Sequence, residues 1–270
     1  METGGERRFL AKIIDYFKST PLSQIDQAGL ERAVITLYPD AKASTRNRQF
    51  FTPVSAILKH AEKMGLASPK TITRPKQPQG KIRWLTPEEA GRLIESCSPH
   101  MKPLVTFLFY TGARLSEALY LDWRNVDLEN RRVSFVDTKN GEARGVPLHP
   151  VIINILANSL NKSGRVFRRP DGHGYKIVKN AGGQIKTGFN AACRRAGIKN
   201  FTPHDCRHTF ATWHYSRNRD PRGLMELCGW KSERMVWRYA HINRDDLAPG
   251  VLNIPEIELQ GENSERLKFK

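Results

Sequence analysis

The sequence lacks the features that mark membrane and secreted proteins. Its most apolar stretch, Leu104–Tyr110, is seven residues long, whereas a helix needs about 20 to span a bilayer. The first residues, METGGERRFLAKIIDYF, carry charges where a signal peptide has an apolar segment. Cysteine is scarce, and Cys97, Cys193, Cys206 and Cys228 form no C-x-x-C pair, which is typical of free thiols in a reducing compartment. These absences predict a soluble cytoplasmic protein without a membrane partner.

Acidic residues are also few, and the resulting charge dominates the composition. The 270 residues include 44 Lys or Arg against 27 Asp or Glu, a formal net charge of +17. Residues 161–200 hold ten of these cations, among them Arg168, Arg169, Arg194 and Arg195, and a single acid. This pattern favours a polyanionic partner with a phosphate backbone, such as double-stranded DNA, and binding to DNA would make the location nucleoid-associated. An inert basic surface and a mobile basic loop are the alternatives.

The chain is expected to form two domains of unequal size. Residues 1–74 space their apolar side chains three and four apart, as in FLAKIIDYF and GLERAVITLY, which predicts a small helical domain. Residues 75–83 are rich in proline and basic side chains and predict an extended linker, which either faces DNA or is merely solvated. Residues 84–270 form the larger domain, also mainly helical. The predicted fold class is therefore mainly α.

One segment of the larger domain departs from the helical pattern. The stretch RRVSFVDTKNGEARGVPL alternates around Asn140-Gly141, a dipeptide suited to a two-residue hairpin turn, and predicts a small antiparallel β-sheet. Lys139 directly precedes the turn. An exposed lysine beside a turn is ordinary, but a two-stranded ribbon can carry it into a groove of duplex DNA.

Arg114 is a candidate anion-binding residue at a helix start. It follows Gly112, which can end one helix, and is expected in the first turn of the next, where the helix dipole disfavours a cation. An anion bound there would be held by free N–H groups and by the guanidinium together. An ion pair with Glu117 explains the arginine equally well.

The segment FTPHDCRHTFAT predicts a second helix start, with Thr202 as N-cap and Pro203 in the first turn. His204, Arg207 and His208 then share one helix face. His204 is a candidate proton-transfer group, and Arg207 is a candidate phosphate clamp.

Two other readings of this segment stay open. A single histidine is usually structural. A metal site could draw on His204, Asp205, Cys206 and His208, but adjacent helical residues point apart. Only the two histidines could readily converge, which leaves the coordination shell unfilled.

Tyr239 lies in WRYAH, near the end of the chain. From the local sequence, a buried core tyrosine is the default interpretation, and a tyrosine on a mobile segment is the alternative.

Taken together, these segments resemble the catalytic motifs of the tyrosine recombinase (phage integrase) family. TGARLSEAL, TK before a hairpin turn, HDCRHTFAT, LCGW and RYAH occur in the family's order and at similar spacings, across residues 84–247. The resemblance implies a DNA-binding core-binding domain followed by a catalytic domain. It implies these site residues: the phosphate-binding Arg114 and Arg207, the hairpin lysine Lys139, the H-x-x-R histidine His204, and the nucleophile Tyr239.

Trp230 departs from the family pattern, which often has histidine nine residues before the nucleophile. An indole donates one hydrogen bond and cannot accept a proton. Trp230 could therefore donate to a phosphate oxygen or pack the site, but it cannot act as acid or base.

The resemblance implies a site-specific DNA recombinase, most similar to a phage or prophage integrase, acting through a covalent 3′-phosphotyrosine. Two arginines would stabilise the charge that develops on the phosphoryl oxygens. His204 would accept the tyrosine proton, and Lys139 would protonate the leaving 5′-oxygen. Because the phosphotyrosine keeps the energy of the bond, neither cofactor nor metal is expected, and the sequence holds no P-loop or acidic metal cluster.

The resemblance also implies an assembly. A homotetramer would hold two DNA duplexes, with the residues after Asp246 contacting a neighbouring copy, and accessory DNA-bending or directionality factors could take part. Because Met1 lies close to the first helical segment, no separate arm-binding domain is expected before it. The alternatives are a type IB topoisomerase-like enzyme, a non-catalytic DNA-binding protein with the same fold, and a metal-dependent nuclease.

Overall fold

The computed structural model describes residues 4–78, 80, 82–136, 143–176 and 184–239. The chain divides into two units, Met1–Gly80 and Lys81–Lys270. Within the described ranges, no helix is both long and apolar enough to cross a bilayer.

The first unit is built from helices around its own apolar core. They are α1 (Gly4–Phe17), α2 (Gln27–Leu37), α3 (Ala43–Arg46) and α4 (Thr52–Lys63). The Asp26 carboxylate caps α2 by accepting a hydrogen bond of 2.7 Å from the backbone N–H of Gly29. A π-turn, Asn47–Phe51, joins α3 to α4 and places Phe50 and Phe51 in the centre of the core.

The extended chain after α4 is held by this first unit. The Lys70 ammonium donates to the backbone carbonyls of Leu22, Ser23 and Ile25, at 2.8 to 2.9 Å. The Asn47 side chain donates to the carbonyl of Pro75 at 2.8 Å. The Lys70 ammonium therefore stabilises the local fold of the first unit.

In its described residues, the second unit contains further helices and a three-stranded sheet. The helices are α5 (Pro87–Glu95), α6 (Lys102–Thr111), α7 (Leu115–Tyr120), α8 (Pro150–Ala157), α9 (Lys186–Arg195), α10 (Pro203–Asn218), α11 (Pro221–Cys228) and α12 (Arg234–Trp237). The strands are β1 (Val126–Asp127), β2 (Arg132–Phe135) and β3 (Arg144–Pro147). The predicted fold class, mainly α with a small antiparallel sheet, is confirmed.

Local signals explain where the main helices begin and which helix is central. Thr86 and Glu89 form a capping box at the start of α5, and Thr202 and Asp205 form one at the start of α10. The apolar stretch of the sequence becomes α6, which is buried on nearly all sides and packs against α5, α7, α8 and α10.

The strands pair antiparallel in the order β1-β2-β3. Val133 lies opposite Val146, and both are buried together with Phe135, while Arg132 and Ser134 face solvent. This alternation confirms the two predicted hairpin strands. The predicted turn, with Lys139 and Asn140-Gly141, lies outside the described residues.

Candidate active site

A tight reversal between α6 and α7 positions Arg114. Gly112 ends α6 in the left-handed conformation, with φ of 59°, which glycine adopts without steric cost. A Cβ at this position would collide with the ring of Phe210 on α10, so only glycine permits the close approach. Arg114 is the N-cap of α7, one residue before the first turn where the sequence placed it.

Glu117 binds both the backbone and the side chain of Arg114. One carboxylate oxygen accepts the Arg114 backbone N–H at 2.7 Å, and the other accepts the guanidinium at 2.7 Å. The ion pair considered from the sequence is therefore present. The Arg114 side chain nevertheless stays 23% exposed, so the ion pair fixes its direction and leaves part of it open to an anion.

Arg144, which sequence reasoning missed, holds Glu117 from the opposite side. Its guanidinium donates to both carboxylate oxygens at 2.7 and 2.8 Å and to the carbonyl of Leu227 at 3.1 Å. Burial alone would raise the pKa of Glu117, but hydrogen bonds from Arg144 and Arg114 outweigh it and lower the pKa to about 2. The sequence signal that could have revealed this contact was Glu117, an acid beside the apolar Ala118 and Leu119, because a buried carboxylate needs a cationic partner.

Arg207 joins two separate segments of the site. It is 2% exposed, and its guanidinium donates to the carbonyl of Gly112 at 2.7 Å and to the carbonyl of Cys228. The same group lies 5.2 Å from the centre of the Trp230 ring. Burial lowers the pKa of Arg207. Arg207 thus links the reversal before Arg114 to the chain that leads from α11 to Trp230.

Tyr239 is buried, as the default interpretation held, and lies in a small core formed by α10, α11 and α12. Its ring stacks on Trp230, with centres 5.5 Å apart and planes 11° apart. Its hydroxyl contacts Nδ1 of His208 at 2.5 Å. Burial raises the pKa of Tyr239 well above the usual tyrosine range.

The two histidines in the first half of α10, His204 and His208, face different partners. The His204 ring meets the His208 ring edge to face, with centres 4.9 Å apart. Desolvation of the imidazole, followed by the charge of Arg207, lowers the pKa of His204. His208 is half-buried against Tyr239. Sequence reasoning placed His208 on the same helix face as His204 and Arg207 but gave it a role only as a potential metal ligand.

The other residues of the alternative metal site are engaged elsewhere. The Asp205 carboxylate accepts the backbone N–H and the hydroxyl of Thr202, at 2.7 Å each. Cys206 is fully buried in the main core. In the part of the chain that the structure describes, no group of three or more His, Cys, Asp or Glu side chains could hold a metal ion.

Several arginines of the basic segment serve the fold. Arg168 donates to the carbonyls of Arg165 and Ser163. Arg169 pairs with Asp171, and Arg195 donates to a backbone carbonyl at the end of α5. The high cation density of residues 161–200 therefore reflects loop and helix anchoring as well as surface charge.

A cationic cleft opens beside Arg114. Its volume is about 510 Å³, and Arg144, Arg222, Trp230 and Lys231 contribute to its lining. The start of β3 forms one wall, and the chain following α11 forms another. An anion entering this cleft would meet the exposed part of Arg114.

The chain was compared with known proteins, and it is similar to members of one family. Residues 83–245 match the phage integrase family. The chain is 33% identical over 216 residues to the integrase of Salmonella phage P22, an alignment that covers 76% of this chain and 56% of that protein. It is 28% identical over 188 residues to a tyrosine recombinase XerC of Roseiflexus castenholzii, covering 64% and 60%. The chain thus spans between half and two thirds of these relatives.

A solved structure supports the fold. The Tn1549 transposon integrase, determined in complex with transposon right end DNA, is similar with a TM-score of 0.70 and 16% identity, covering 92% of each chain. At this identity the likeness concerns the fold alone. Since the family match covers more than half of the residues, the chain belongs to the phage integrase family.

Proposed function

We propose that the protein is a site-specific DNA recombinase that cleaves and rejoins DNA through a 3′-phosphotyrosine on Tyr239. The observation that carries the proposal is the bridging position of Arg207. Its guanidinium donates to the carbonyl of Gly112, just before Arg114, and lies against the ring of Trp230. Trp230 in turn stacks on Tyr239. Two guanidinium groups and a phenol are thereby gathered in one region of the second unit.

The substrate is a DNA phosphodiester. It is bound first by the partly exposed Arg114, and by Arg207, which is 2% exposed, once Tyr239 and Trp230 move aside. In-line attack builds negative charge on the phosphoryl oxygens, which fixed guanidinium groups stabilise without reorganisation. The glutamate between Arg114 and Arg144 keeps the first guanidinium in place. Removal of one such preorganised donor commonly costs about 10²–10³ in rate, so both arginines are needed.

Tyr239 must change position before it attacks. Its side chain is 2% exposed, and a phosphodiester outside the protein cannot reach a hydroxyl held in this core. DNA binding therefore accompanies release of the phenol from its stack on Trp230. Trp230 then donates its indole N–H to a phosphate oxygen or packs the site, and it transfers no proton.

The remaining roles follow the family resemblance. Lys139 protonates the departing 5′-oxygen. Residues 1–74 bind DNA as a core-binding domain, residues 75–83 connect the domains, and residues 84–270 carry the chemistry. The protein works on DNA in the cytoplasm as a homotetramer on two duplexes, with accessory DNA-bending or directionality factors. Neither cofactor nor metal takes part.

Strand exchange between two duplexes tests the proposal. DNA junctions formed in cells that express the protein are sequenced, with a Tyr239→Phe strain as control, and the sites found are placed on two differently labelled duplexes. The purified protein should yield the joined product. Relaxation of a single supercoiled duplex without exchange would instead indicate a topoisomerase-like enzyme, and binding without any strand cleavage would indicate a DNA-binding protein.

A further inference from the structure

We infer that Arg144 is a positioning residue that fixes the spacing between the phosphate-binding guanidinium groups of Arg114 and Arg207. The inference rests on the proposed function and deepens it, because it adds a residue that acts on the reaction through these two arginines. Arg144 itself is nearly buried, with 9% of its side chain exposed, and its donors are used inside the protein.

Arg144 and Arg114 share one carboxylate. Nη1 of each arginine donates to Oε1 of Glu117 at 2.7 Å, and Nη2 of Arg144 donates to Oε2 at 2.8 Å. The central carbon of the Arg144 guanidinium lies 4.7 Å from the centre of the Phe135 ring, on the neighbouring strand β2. A planar group held by two carboxylate oxygens and an aromatic ring has little freedom to turn. Arg144 therefore fixes the carboxylate, and the carboxylate fixes Arg114.

The Arg144 guanidinium also binds the end of α11, which Arg207 binds as well. The last four carbonyls of a helix have no partner within it. In α11, the backbone N–H groups of the next two residues donate to two of these carbonyls. The carbonyl of Leu227 accepts from Nε of Arg144 at 3.1 Å, and that of Cys228 accepts from Arg207. The two arginines thus hold consecutive carbonyls, at the helix end where the dipole favours cations.

These contacts close a ring that contains both phosphate-binding arginines. Arg207 donates to the carbonyl of Gly112 at 2.7 Å, two residues before Arg114. From Arg114 the ring runs through Glu117 and Arg144 to the end of α11. From there it returns through Arg207 to the reversal before α7. A closed path of hydrogen bonds and backbone restrains the two guanidinium groups more than either contact does alone.

The ring matters at the step in which Tyr239 and Trp230 move aside. Trp230 is the second residue after α11, so its displacement strains the helix end that Arg207 binds. Arg144 holds the same end through the carbonyl of Leu227. The two phosphate-binding guanidinium groups therefore keep their separation, and donors that are already in place stabilise the developing charge without rearrangement.

The test measures single-turnover cleavage of a nicked suicide duplex at saturating protein. Arg144→Lys keeps a positive charge beside Glu117 but loses the planar group that binds two carboxylate oxygens and a carbonyl at once. Because a misplacement of about 1 Å can cost about 10²-fold in rate, cleavage should fall by about 10- to 10²-fold. Affinity for the duplex should stay unchanged. Arg132→Lys, the same replacement on the exposed side of β2, should keep the wild-type rate.

A second substrate separates positioning from a loss of folded protein. A methylphosphonate at the scissile position replaces one charged oxygen by a methyl group, so attack builds less negative charge and needs the guanidinium groups less. The ratio of the wild-type rate to the Arg144→Lys rate should therefore be smaller on this substrate than on the phosphodiester, by roughly tenfold. Sulfur at the bridging 5′-position relieves only the need for an acid, so it should leave the ratio unchanged.

A double-mutant cycle separates positioning from direct contact with the phosphate. Because Arg144 acts through Arg114, Arg144→Lys should cost much less in an Arg114→Ala background than in the wild type. Should Arg144→Lys fail to fold, Phe135→Leu undergoes the same tests, since it keeps an apolar side chain in the core and removes only the ring beside the guanidinium. Its losses should be smaller and in the same direction.

The outcomes distinguish the two claims. Wild-type cleavage by Arg144→Lys, or an equal loss on the phosphodiester and the methylphosphonate, would overturn the inference. Losses that multiply in the double variant would show that Arg144 acts independently of Arg114 and would overturn it as well. In each of these cases the wild-type protein still cleaves, and the proposed function stands. If the wild-type protein forms no covalent adduct with DNA, the proposed function is refuted together with the inference.

Discussion

The Glu117→Gln substitution removes the negative charge that lies between two guanidinium groups. The carboxylate accepts hydrogen bonds from Arg114 and Arg144, and its side chain is only 2% exposed, so solvent screens it little. Its pKa falls from 4.5 to about 2 in the folded protein, which corresponds to about 3 kcal/mol of stability at neutral pH. Breaking a buried ion pair commonly costs about 3–5 kcal/mol of stability, which agrees with the value obtained from the pKa of Glu117.

The pH dependence of this loss has a definite sign. Because the folded pKa of Glu117 lies below its unfolded value, the stabilisation is present above pH 4.5 and is lost as the pH falls towards about 2. The variant should therefore melt at a lower temperature than the wild type at pH 7, by roughly 6–12 °C for a domain of this size. The difference in melting temperature between the variant and the wild type should disappear in acid.

Calorimetry or circular dichroism of the full chain measures these transitions. Glu226→Gln is the matched control, since Glu226 pairs with Arg222 at 3.4 Å on an exposed surface, where ion pairs contribute little. It should melt close to the wild type. Equal melting of wild type and Glu117→Gln at pH 7, or a gap of constant size down to pH 2, would refute the argument.

Three further outcomes follow from the site and the charge. Trp230→His should retain substantial single-turnover cleavage and Trp230→Ala should lose more, because alanine neither donates nor fills the space beside Tyr239; wild-type activity in Trp230→Ala would make the indole dispensable. Affinity for duplex DNA should fall by roughly 10³–10⁵ between 50 and 200 mM salt if six to ten phosphates are neutralised. Cleavage should persist in EDTA. An affinity that does not change with salt, or complete loss of cleavage in EDTA, would contradict this interpretation. Lys139→Ala should cleave slowly and recover on a substrate with sulfur at the bridging 5′-position, since a thiol, with a pKa of about 8.5, leaves without an acid. The same substrate should not rescue Arg114→Ala, and failure to rescue Lys139→Ala would give the lysine another role.

Local signals made much of the fold predictable. The capping boxes at Thr86 and Thr202, the glycine at the end of α6 and the alternation of β2 each depend on residues within a few positions of one another. Such patterns act through backbone geometry and nearest neighbours, so the sequence displays them directly.

The contacts that define the site were harder to anticipate. Glu117 and Arg144 are 27 positions apart, and His208 and Tyr239 are 31 apart. Glu117 lies on α7 and Arg144 on β3, whereas His208 lies on α10 and Tyr239 follows α12. Each pair therefore meets only through tertiary packing, which no local periodicity encodes. The motifs predicted candidate residues for the site, while the partner of each described side chain required the tertiary structure.

Charge clustering was the least informative signal about individual side chains. The sequence shows that Arg168 and Arg195 are cations, but it does not distinguish an arginine facing solvent from one that donates to a carbonyl. The planar guanidinium group of arginine, with its five N–H donors, can bind either an external anion or a backbone carbonyl. Net charge thus predicts a polyanionic partner more securely than it predicts which cations contact it.

Peptide mapping of the covalent adduct tests the central claim most directly. The wild-type protein is incubated with a suicide duplex, digested, and analysed by mass spectrometry. The account predicts an SDS-stable complex whose nucleotide is attached to Tyr239 through a 3′-phosphate, and no complex with Tyr239→Phe, which lacks only the hydroxyl. A complex that still forms with Tyr239→Phe, or a nucleotide attached to another residue such as Tyr215, would contradict it.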